Sequence, residues 1–329
     1  MALSPTTLTT VAGQPPAAAW SAVADHLRNE FLAPLPATGT ESEVVRRDHE
    51  LVELDNVLSG SAWDLWAHFE SSVPKASRGI IDFWSSTTGG KAVLILDGLS
   101  LREAPWVLEQ AKGRGYTLHR SEVRGAELPG ETTPFAKALG FAQRSALEND
   151  GAGSTHKLPG AFTACSNLPP KDCVDMVGSQ PGVVFWHHWP DERMHDLSGP
   201  GQGLRKLTKE AHAWLCSDDF WALVDRLATG RRLLVTSDHG YAACGEFHDL
   251  LGDQSTYMKS VFKSGRSAQA TGTHAAWVPP IDLKLTTAHG DHQFVLGRRK
   301  WKSAAGYPTL QHGGLSLLEL FVPFIELSK

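Results

Sequence analysis

The chain has 329 residues, of which 41% are hydrophobic and 20% are charged, and its formal net charge is -5 at pH 7. This composition excludes wholesale disorder, and the length favours one large domain with a smaller addition. The small negative charge, without a long run of Lys and Arg, excludes an extended binding face for duplex DNA.

The first residues and the cysteines indicate the compartment. The N-terminus lacks both a positively charged start and an apolar segment, so we expect no secretion signal. No apolar run is long enough to span a bilayer. Cys165, Cys173, Cys216 and Cys244 form no C-x-x-C pair, which predicts reduced and mostly buried thiols. Together these features predict a cytoplasmic protein.

Residues 1–85 are predicted to form an N-terminal leader and a helical appendage. Residues 1–40 contain Pro-rich stretches around one short helical pattern at 18–31, which indicates a loosely structured leader. Between 41 and 83, apolar residues recur at helical intervals that a Ser-Gly-Ser sequence at 59–61 interrupts. We expect these helices to form a small layer beside the main domain.

Residues 86–329 have the pattern of an α/β domain. Residues 91–97 are a continuous apolar run that ends in Asp97, as is typical of a strand buried on both faces of a parallel sheet. Further strands are predicted at 116–122, 182–187, 232–238 and 321–327, and helices at 104–112, 135–147, 204–229 and just before 321. The sequence therefore predicts a mostly parallel sheet flanked by helices.

Two segments are predicted to be loops or insertions over the site. Residues 145–175 and 251–300 are rich in Gly, Ser, Thr and Pro. The second ends near Arg298-Arg299-Lys300-Trp301, the most concentrated basic and aromatic stretch of the chain. A solvated strand edge is the favoured interpretation of this stretch, and contact with a phosphate and a base is the alternative.

Polar residues follow three of the predicted strands. Asp97 ends the first strand, residues 187–191 follow the strand at 182–187, and Asp238-His239-Gly240 follows the strand at 232–238. Ligands bind outside the carboxyl ends of strands in open α/β sheets, so we expect these residues to converge. Taken singly, an Asp at the end of a strand is as typical of a capped turn as of a ligand.

A second group of candidate ligands lies between and after these strands. Asp191 and His195 are four residues apart, so a helix that starts after Pro190 would present both on one face, although a surface ion pair has the same spacing. His312 precedes a Gly-Gly turn, where a lone His is usually structural. As a set, these carboxylates and imidazoles match the ligands of two adjacent metal sites.

A candidate nucleophile precedes the helix predicted at 135–147. Thr132 and Thr133 lie in a turn, where a hydroxyl would be close to the N–H groups of a helix N-terminus that favour an incoming phosphate. The alternative is that one of them caps the helix. One hydroxyl can serve both purposes.

In chain order, the candidate ligands and nucleophile resemble those of the alkaline-phosphatase superfamily, and two motifs resemble its PglZ family. The residues are Asp97, Thr132, Asp191, His195, Asp238, His239 and His312. The motifs are Val-Thr-Ser-Asp-His-Gly-Tyr at 235–241 and His-Gly-Gly-Leu-Ser-Leu-Leu-Glu-Leu-Phe-Val-Pro at 312–323, and the resemblance covers residues 88–329. It implies an alkaline-phosphatase-like fold in which Asp97, Thr132, Asp238 and His239 bind one metal and Asp191, His195 and His312 bind the other. Family members often carry Ser or Thr two residues before the nucleophile, where Gly130 stands here, so Thr133 stays open as the nucleophile. Thr132 fits the Pro-x-x-Thr pattern of similar phosphodiesterases better.

The resemblance also implies a reaction and its setting. Two divalent metal ions, Zn²⁺ in both sites with Mn²⁺ or Mg²⁺ as the alternative in one, would support attack by Thr132 and a covalent phosphothreonine. The expected substrates are phosphodiesters of nucleotides, oligonucleotides or cyclic nucleotides. PglZ proteins are associated with bacterial phage defence such as BREX, so protein partners from a defence system are expected.

Two other functions stay open. A phosphomonoesterase would need additional cationic groups that recognise a dianion, and the sequence alone does not locate them. A defence-complex scaffold would use the metal site for structure or regulation rather than for catalysis. A sulfatase is disfavoured, because no Cys or Ser follows Asp97 in a C/S-x-P-x-R context.

Overall fold

A computed structural model of the chain describes residues 5–151, 155–199, 203–245, 247, 249–270, 277–303 and 306–329. Residues 1–4 of the predicted leader, and 152–154 and 271–276 of the predicted loops, lie outside the described residues. Among the described residues, no helix combines the length and the apolar character that crossing a bilayer requires.

In the described residues, helices α1 to α5 precede the first strand, and strands and helices are mixed after it. The helices are α1 (Pro5–Gly13), α2 (Pro16–Phe31), α3 (Thr40–Gly60), α4 (Phe69–Ser72), α5 (Ala76–Ser86), α6 (Ala104–Gly113), α7 (Thr132–Ala138), α8 (Pro170–Cys173), α9 (Asp191–Asp196), α10 (Leu204–Leu215), α11 (Asp218–Ala228), α12 (Gly252–Phe262) and α13 (Leu317–Leu320). The strands are β1 (Lys91–Leu96), β2 (Thr117–Gly125), β3 (Phe162–Ser166), β4 (Gly182–His187), β5 (Arg232–Thr236), β6 (Ala242–Ala243), β7 (Ser267–Gln269), β8 (Asp282–Thr287), β9 (Gly290–Val295), β10 (Leu310–Gln311) and β11 (Phe321–Ser328). Short 3₁₀ helices lie at Trp63–His68, Arg144–Gly151 and Val174–Met176.

The central sheet has six strands in the order β2-β11-β5-β1-β4-β3. β3, β4, β1 and β5 are parallel neighbours, and β11 is antiparallel to both β5 and β2. Along β1, Ala92, Leu94 and Leu96 pack into one core cluster, whereas Val93 and Ile95 pack into another. A strand with an apolar residue at every position is stable only when both faces of its sheet are covered. The predicted fold class, a mostly parallel α/β sheet flanked by helices, is confirmed.

The N-terminal segment differs from the predicted loose leader, because residues 5–31 contain two helices, α1 and α2. In α2, Trp20, Val23 and Leu27 recur on one face and are buried. Trp20 packs on Trp66 with ring centroids 4.9 Å apart, and the same cluster reaches Phe321 at the start of β11. Helical periodicity of apolar residues therefore outweighed the Pro-rich composition. The boundary between 1–85 and 86–329 stays a prediction.

The segment at 251–300 was predicted to be a loop or an insertion, and it is not a loop. It contains α12 and a three-stranded antiparallel sheet in the order β7-β9-β8. We call residues 249–300 the insert. The predicted loop at 145–175 contains β3, an edge strand of the central sheet. All four strands are short, and β8 carries Asp282, Lys284 and Thr286 on one face, so these sequences resemble loops.

Two helix predictions needed different boundaries. The predicted helix at 204–229 is interrupted after Leu215, where the Ser217 hydroxyl caps α11 by accepting the N–H of Phe220 at 3.2 Å. The predicted helix at 135–147 ends at Ala138, and Gly140 follows with φ of +93°. A conformation of this kind favours Gly and stops a helix.

Arg298 is fully buried and Arg299 and Lys300 are partly buried, so this stretch is neither a solvated strand edge nor a free surface for a phosphate and a base. The Arg298 guanidinium pairs with Asp55 at 2.6 Å and with Asp48 at 2.7 Å, and Trp301 is buried as well. Asp48 also pairs with the buried Arg102 at 2.6 Å. Two arginines thus neutralise two carboxylates of α3 and attach this helix to the main domain.

Arg298→Met should strongly destabilise the fold, because it leaves Asp55 buried without a counter-charge. Breaking a buried ion pair from one side costs about 3–5 kcal/mol. Arg28→Met is the matched control, since Arg28 pairs with Asp25 at 3.3 Å on the exposed surface of α2. That pair should contribute less than about 1 kcal/mol. Urea unfolding of both variants measures the difference, and equal losses would contradict the role given to Arg298.

Candidate functional site

The candidate ligands meet at the carboxyl ends of β1, β4 and β5. Asp97 directly follows β1, Asp191 starts α9 after β4, and Asp238 follows β5. Backbone hydrogen bonds fix their loops to one another: the N–H of Asp97 donates to the carbonyl of His187 and the N–H of Asp191 donates to the carbonyl of Asp97, both at 2.9 Å. The N–H of Gly98 donates to Asp238 Oδ1 at 3.0 Å. The register of the parallel strands therefore brings three distant acidic residues together.

Glycines allow these loops to approach closely. Gly98 has φ of +75°, and a Cβ at this position would lie 3.2 Å from the Cβ of Asp191. A Cβ on Gly240 would lie 2.2 Å from the carbonyl oxygen of Leu318. The N–H of Gly240 donates to the carbonyl of Glu319 at 2.9 Å. Only Gly fits both positions without a shift of the backbone.

One ligand cluster consists of Asp191, His195 and His312. Nε2 of His195 lies 3.4 Å from Asp191 Oδ1, and Nε2 of His312 lies 3.5 Å from the same oxygen. His312 Nδ1 is 3.2 Å from the carbonyl of Gly130, which can only accept, so this nitrogen carries the proton. The other nitrogen, Nε2, also lies 3.3 Å from Nε2 of His195, and in a neutral His312 it keeps its lone pair.

A second cluster consists of Asp97, Asp191 and His239, with Asp238 beside it. Ligand atoms of the first three lie within 4.8 Å of one another. Nε2 of His239 is 3.5 Å from Asp97 and 3.5 Å from Asp238, while its Nδ1 donates to the carbonyl of Gly240 at 2.9 Å. The His239 and His312 rings stack with centroids 4.1 Å apart. Asp191 belongs to both clusters, which therefore adjoin.

Three ligand atoms are buried without a hydrogen-bond partner among the described residues. They are Asp191 Oδ1, Asp238 Oδ2 and His239 Nε2. Leaving a buried polar atom unsatisfied is costly, and such atoms in native proteins usually bind an ion or water. Carboxylate oxygens and imidazole nitrogens are ligands for Zn²⁺, and carboxylate oxygens also suit Mn²⁺ and Mg²⁺. The residues present thus fit divalent cations.

The charges of the site are strongly coupled. Burial, and then the neighbouring Asp238 carboxylate, raise the pKa of Asp97 well above its usual range. Burial lowers the pKa of His239, but the Asp238, Asp97 and Asp191 carboxylates outweigh it and raise that pKa to about 9. Burial raises the pKa of Asp191, but the His195, His312 and His239 imidazoles lower it below its usual range. These shifts have one cause: three carboxylates lie close together in a buried place, where a positive charge among them is favoured.

Thr132 lies beside this cluster. It is the first residue of α7, and its Oγ1 is 3.4 Å from each carboxylate oxygen of Asp97. Thr133 is exposed to solvent, and Glu131 occupies the N-cap position. The Thr132 hydroxyl is thus the one of the two that contacts a candidate ligand in the described structure.

Arg144 is a site residue that the sequence did not indicate. Its Nη1 makes a very short ion pair with Asp97 Oδ2, and its side chain is partly buried. It is the first residue of the 3₁₀ helix Arg144–Gly151, which follows α7. The sequence predicted a helix at 135–147 and a loop at 145–175 for this part of the chain. A single Arg outside a periodic element gives no local signal, so only the tertiary structure identifies it.

No family model matches the chain, and no curated protein matches its sequence. Among solved structures, it is similar to murine ectonucleotide pyrophosphatase/phosphodiesterase 5 in an inactive form in complex with AMP, with 14% identity and a TM-score of 0.47 over 72% of this chain and 87% of that one. It is also similar to the human ectonucleotide pyrophosphatase/phosphodiesterase 5, with 13% identity and a TM-score of 0.45 over the same shares. Similarity at this level assigns no reaction to the chain.

Gly240→Ala should destabilise the protein, because the added Cβ would overlap the carbonyl of Leu318. Overpacking of this kind costs about 1–3 kcal/mol. Gly113→Ala is the matched control, since a Cβ at the end of α6 meets no atom within 4 Å among the described residues. Calorimetry should show a lower Tm for Gly240→Ala and little change for Gly113→Ala. An unchanged Tm for both would contradict the close packing of this turn.

Proposed function

We propose that the chain is a metal-dependent phosphoric ester hydrolase that uses Thr132 as its nucleophile. The observation that carries the proposal is the group of buried, unsatisfied ligand atoms on Asp191, Asp238 and His239 next to a threonine hydroxyl. A bound pair of divalent cations would supply Lewis-acid stabilisation of the charge that develops on the phosphate. Asp191, His195 and His312 would hold one cation, and Asp97, Thr132, Asp238 and His239 the other.

The residues of the chain have defined tasks in this proposal. Thr132 presents its oxygen to phosphorus from the start of α7, and its proton is directed at the Asp97 carboxylate 3.4 Å away. The imidazoles of His239 and His312 keep their proton on Nδ1, because each Nδ1 faces a backbone carbonyl. Their Nε2 atoms are therefore the ligand atoms, and a cation that binds His239 would displace the Nε2 proton of its charged form. Zn²⁺ is the proposed metal in both sites, with Mn²⁺ or Mg²⁺ as the alternative in the site rich in carboxylates.

The proposed substrates are phosphodiesters, with nucleotides and oligonucleotides as the first to test. Two residues before Asp191 in the chain, Trp189 stacks on Trp214 with centroids 3.9 Å apart, and both residues are partly exposed. Aromatic surfaces near a phosphate site are suited to base stacking. Membership of the PglZ family, and a cytoplasmic role in phage defence with protein partners, are further proposals that rest on the sequence motifs at 235–241 and 312–323.

A phosphomonoesterase is the second candidate, and Arg144 is the observation that favours it. The guanidinium contacts Asp97, whose carboxylate is also within 3.4 Å of Thr132 Oγ1. A cation beside the attacking oxygen can bind the non-bridging oxygens of a phosphate, and a dianionic monoester gains more from it than a diester.

Thr132→Ala should abolish hydrolysis while metal binding persists, because the ligand carboxylates and imidazoles remain. We expect a loss of at least about a thousandfold in kcat for bis(p-nitrophenyl) phosphate with added Zn²⁺. Thr133→Ala is the matched control and should keep its activity, whereas Asp238→Ala should lose bound metal in elemental analysis. Activity lost in Thr133→Ala instead would move the nucleophile to Thr133. A wild-type chain that binds metal but hydrolyses no ester would favour the scaffold.

Arg144→Gln should separate the two substrate classes. We expect kcat/KM for p-nitrophenyl phosphate to fall by at least about tenfold, and the value for the diester to fall much less. Arg120→Gln, on exposed β2, is the control for removal of a positive charge, since Arg120 pairs with Glu326 away from the site. Equal losses on both esters would contradict a role for Arg144 in recognising a dianion.

A further inference from the structure

The insert contributes two adjacent side chains to the surroundings of the site. Arg266 precedes β7 and Ser267 begins it. Arg266 is fully buried, and its Nε and Nη2 donate to the two carboxylate oxygens of Glu319 at 2.6 and 3.1 Å. Its Nη1 donates to the carbonyl of Arg299 at 2.9 Å. This guanidinium therefore has a fixed position between the insert and the main domain.

Glu319 is bonded to the turns that follow both His239 and His312. Its Oε1 accepts the N–H of Gly314 at 2.9 Å, and its backbone carbonyl accepts the N–H of Gly240 at 2.9 Å. Its Oε2 accepts the hydroxyl of Ser316 at 2.5 Å. A Cβ on Gly314 would lie 2.9 Å from Arg266 Nε, so the turn and the guanidinium are in close contact. The carboxylate of Glu319 thus holds the turn after His312, and its backbone carbonyl holds the turn after His239. Arg266 fixes the position of Glu319 through its carboxylate.

Ser267 reaches a different part of the site. Its hydroxyl makes a very short hydrogen bond to Glu131 Oε1, and Glu131 is the residue before Thr132. The N–H of Glu131 donates to the carbonyl of Pro129 at 2.8 Å, which closes the turn that leads into α7. A change at Ser267 therefore acts on the threonine and leaves the bonds of Glu319 intact.

We infer that Arg266 and Ser267 are positioning residues of the site with separate tasks. Arg266, through Glu319, sets the geometry of His239 and His312, whereas Ser267, through Glu131, orients Thr132. This inference rests on the proposed function. Outer partners of metal ligands typically change metal affinity or activity by about 10- to 100-fold when they are replaced.

The test compares a double variant, Arg266→Met/Glu319→Gln, with the single variant Ser267→Ala. In Arg266→Met/Glu319→Gln, both charges of the pair are removed together, so that no buried charge is left alone. Affinity for Zn²⁺, measured by competition with a chromogenic chelator, should fall by about tenfold or more, and the visible spectrum of the Co²⁺-loaded protein should change. Ser267→Ala should bind Zn²⁺ within about twofold of wild type, while its kcat falls by about tenfold with little change in KM.

Two controls exclude a general loss of stability. Leu223→Ala removes a buried side chain of α11, in the helical layer that packs against the sheet, and should lower the Tm without changing metal affinity. Ser260→Ala removes a hydroxyl that bonds only to the carbonyl of Tyr257 among the described residues, within the same insert. It should leave kcat unchanged.

The outcomes separate the inference from the proposed function. Wild-type metal binding and turnover, with both variants unchanged, would overturn the inference alone. A fall in Zn²⁺ affinity for Leu223→Ala as large as that of the double variant would also overturn it. Absence of metal binding by the unsubstituted chain would overturn the proposed function and the inference together. If the double variant does not fold, the kcat of Ser267→Ala against Ser260→Ala still decides the second task.

Discussion

Mutual repulsion among Asp97, Asp191 and Asp238 is the constraint on which this site depends. Asp97 and Asp238 are fully buried and Asp191 nearly so, in a region where water screens little of their charge. Like charges at such distances do not coexist unless positive groups offset them. Arg144 and the imidazoles supply part of that compensation in the described structure. Divalent cations would complete it, which is why the geometry favours a metal site over a set of structural turns.

The remaining architecture holds these groups in place against that repulsion. Parallel pairing of β1 with β4 and β5 aligns the three strand ends, and the loop hydrogen bonds around Asp97 prevent their separation. The insert packs on one side through Arg266, and the N-terminal helices pack near the segment before β11. An electrostatically costly site of this kind needs support from several elements, since no single loop could fix it.

Features with a strong local signal were predictable from the sequence. The apolar run of β1 and its terminal Asp97 have no other stable location than the interior of a parallel sheet, and the order of the acidic and His residues indicated where the ligands would meet. Features that depend on residues far away in the sequence were not predictable. Arg298 looks solvated beside Arg299 and Lys300, and its burial follows only from Asp48 and Asp55 some two hundred and fifty residues earlier. Arg144 and Arg266 were missed for the same reason, because their partners are also remote in sequence.

The attachment of α3 has a consequence for any attempt to divide the molecule. Asp48 and Asp55 are the counter-ions of Arg102 and Arg298, and Asp55 Oδ1 also accepts the N–H of Leu317 at 3.0 Å. A fragment that starts at residue 86 would leave both guanidinium groups without their carboxylate partners, and it would uncover the ring of Phe321. Such a fragment would expose a hydrophobic surface that promotes aggregation. Biochemical work on the α/β part therefore requires the preceding helices in the same polypeptide.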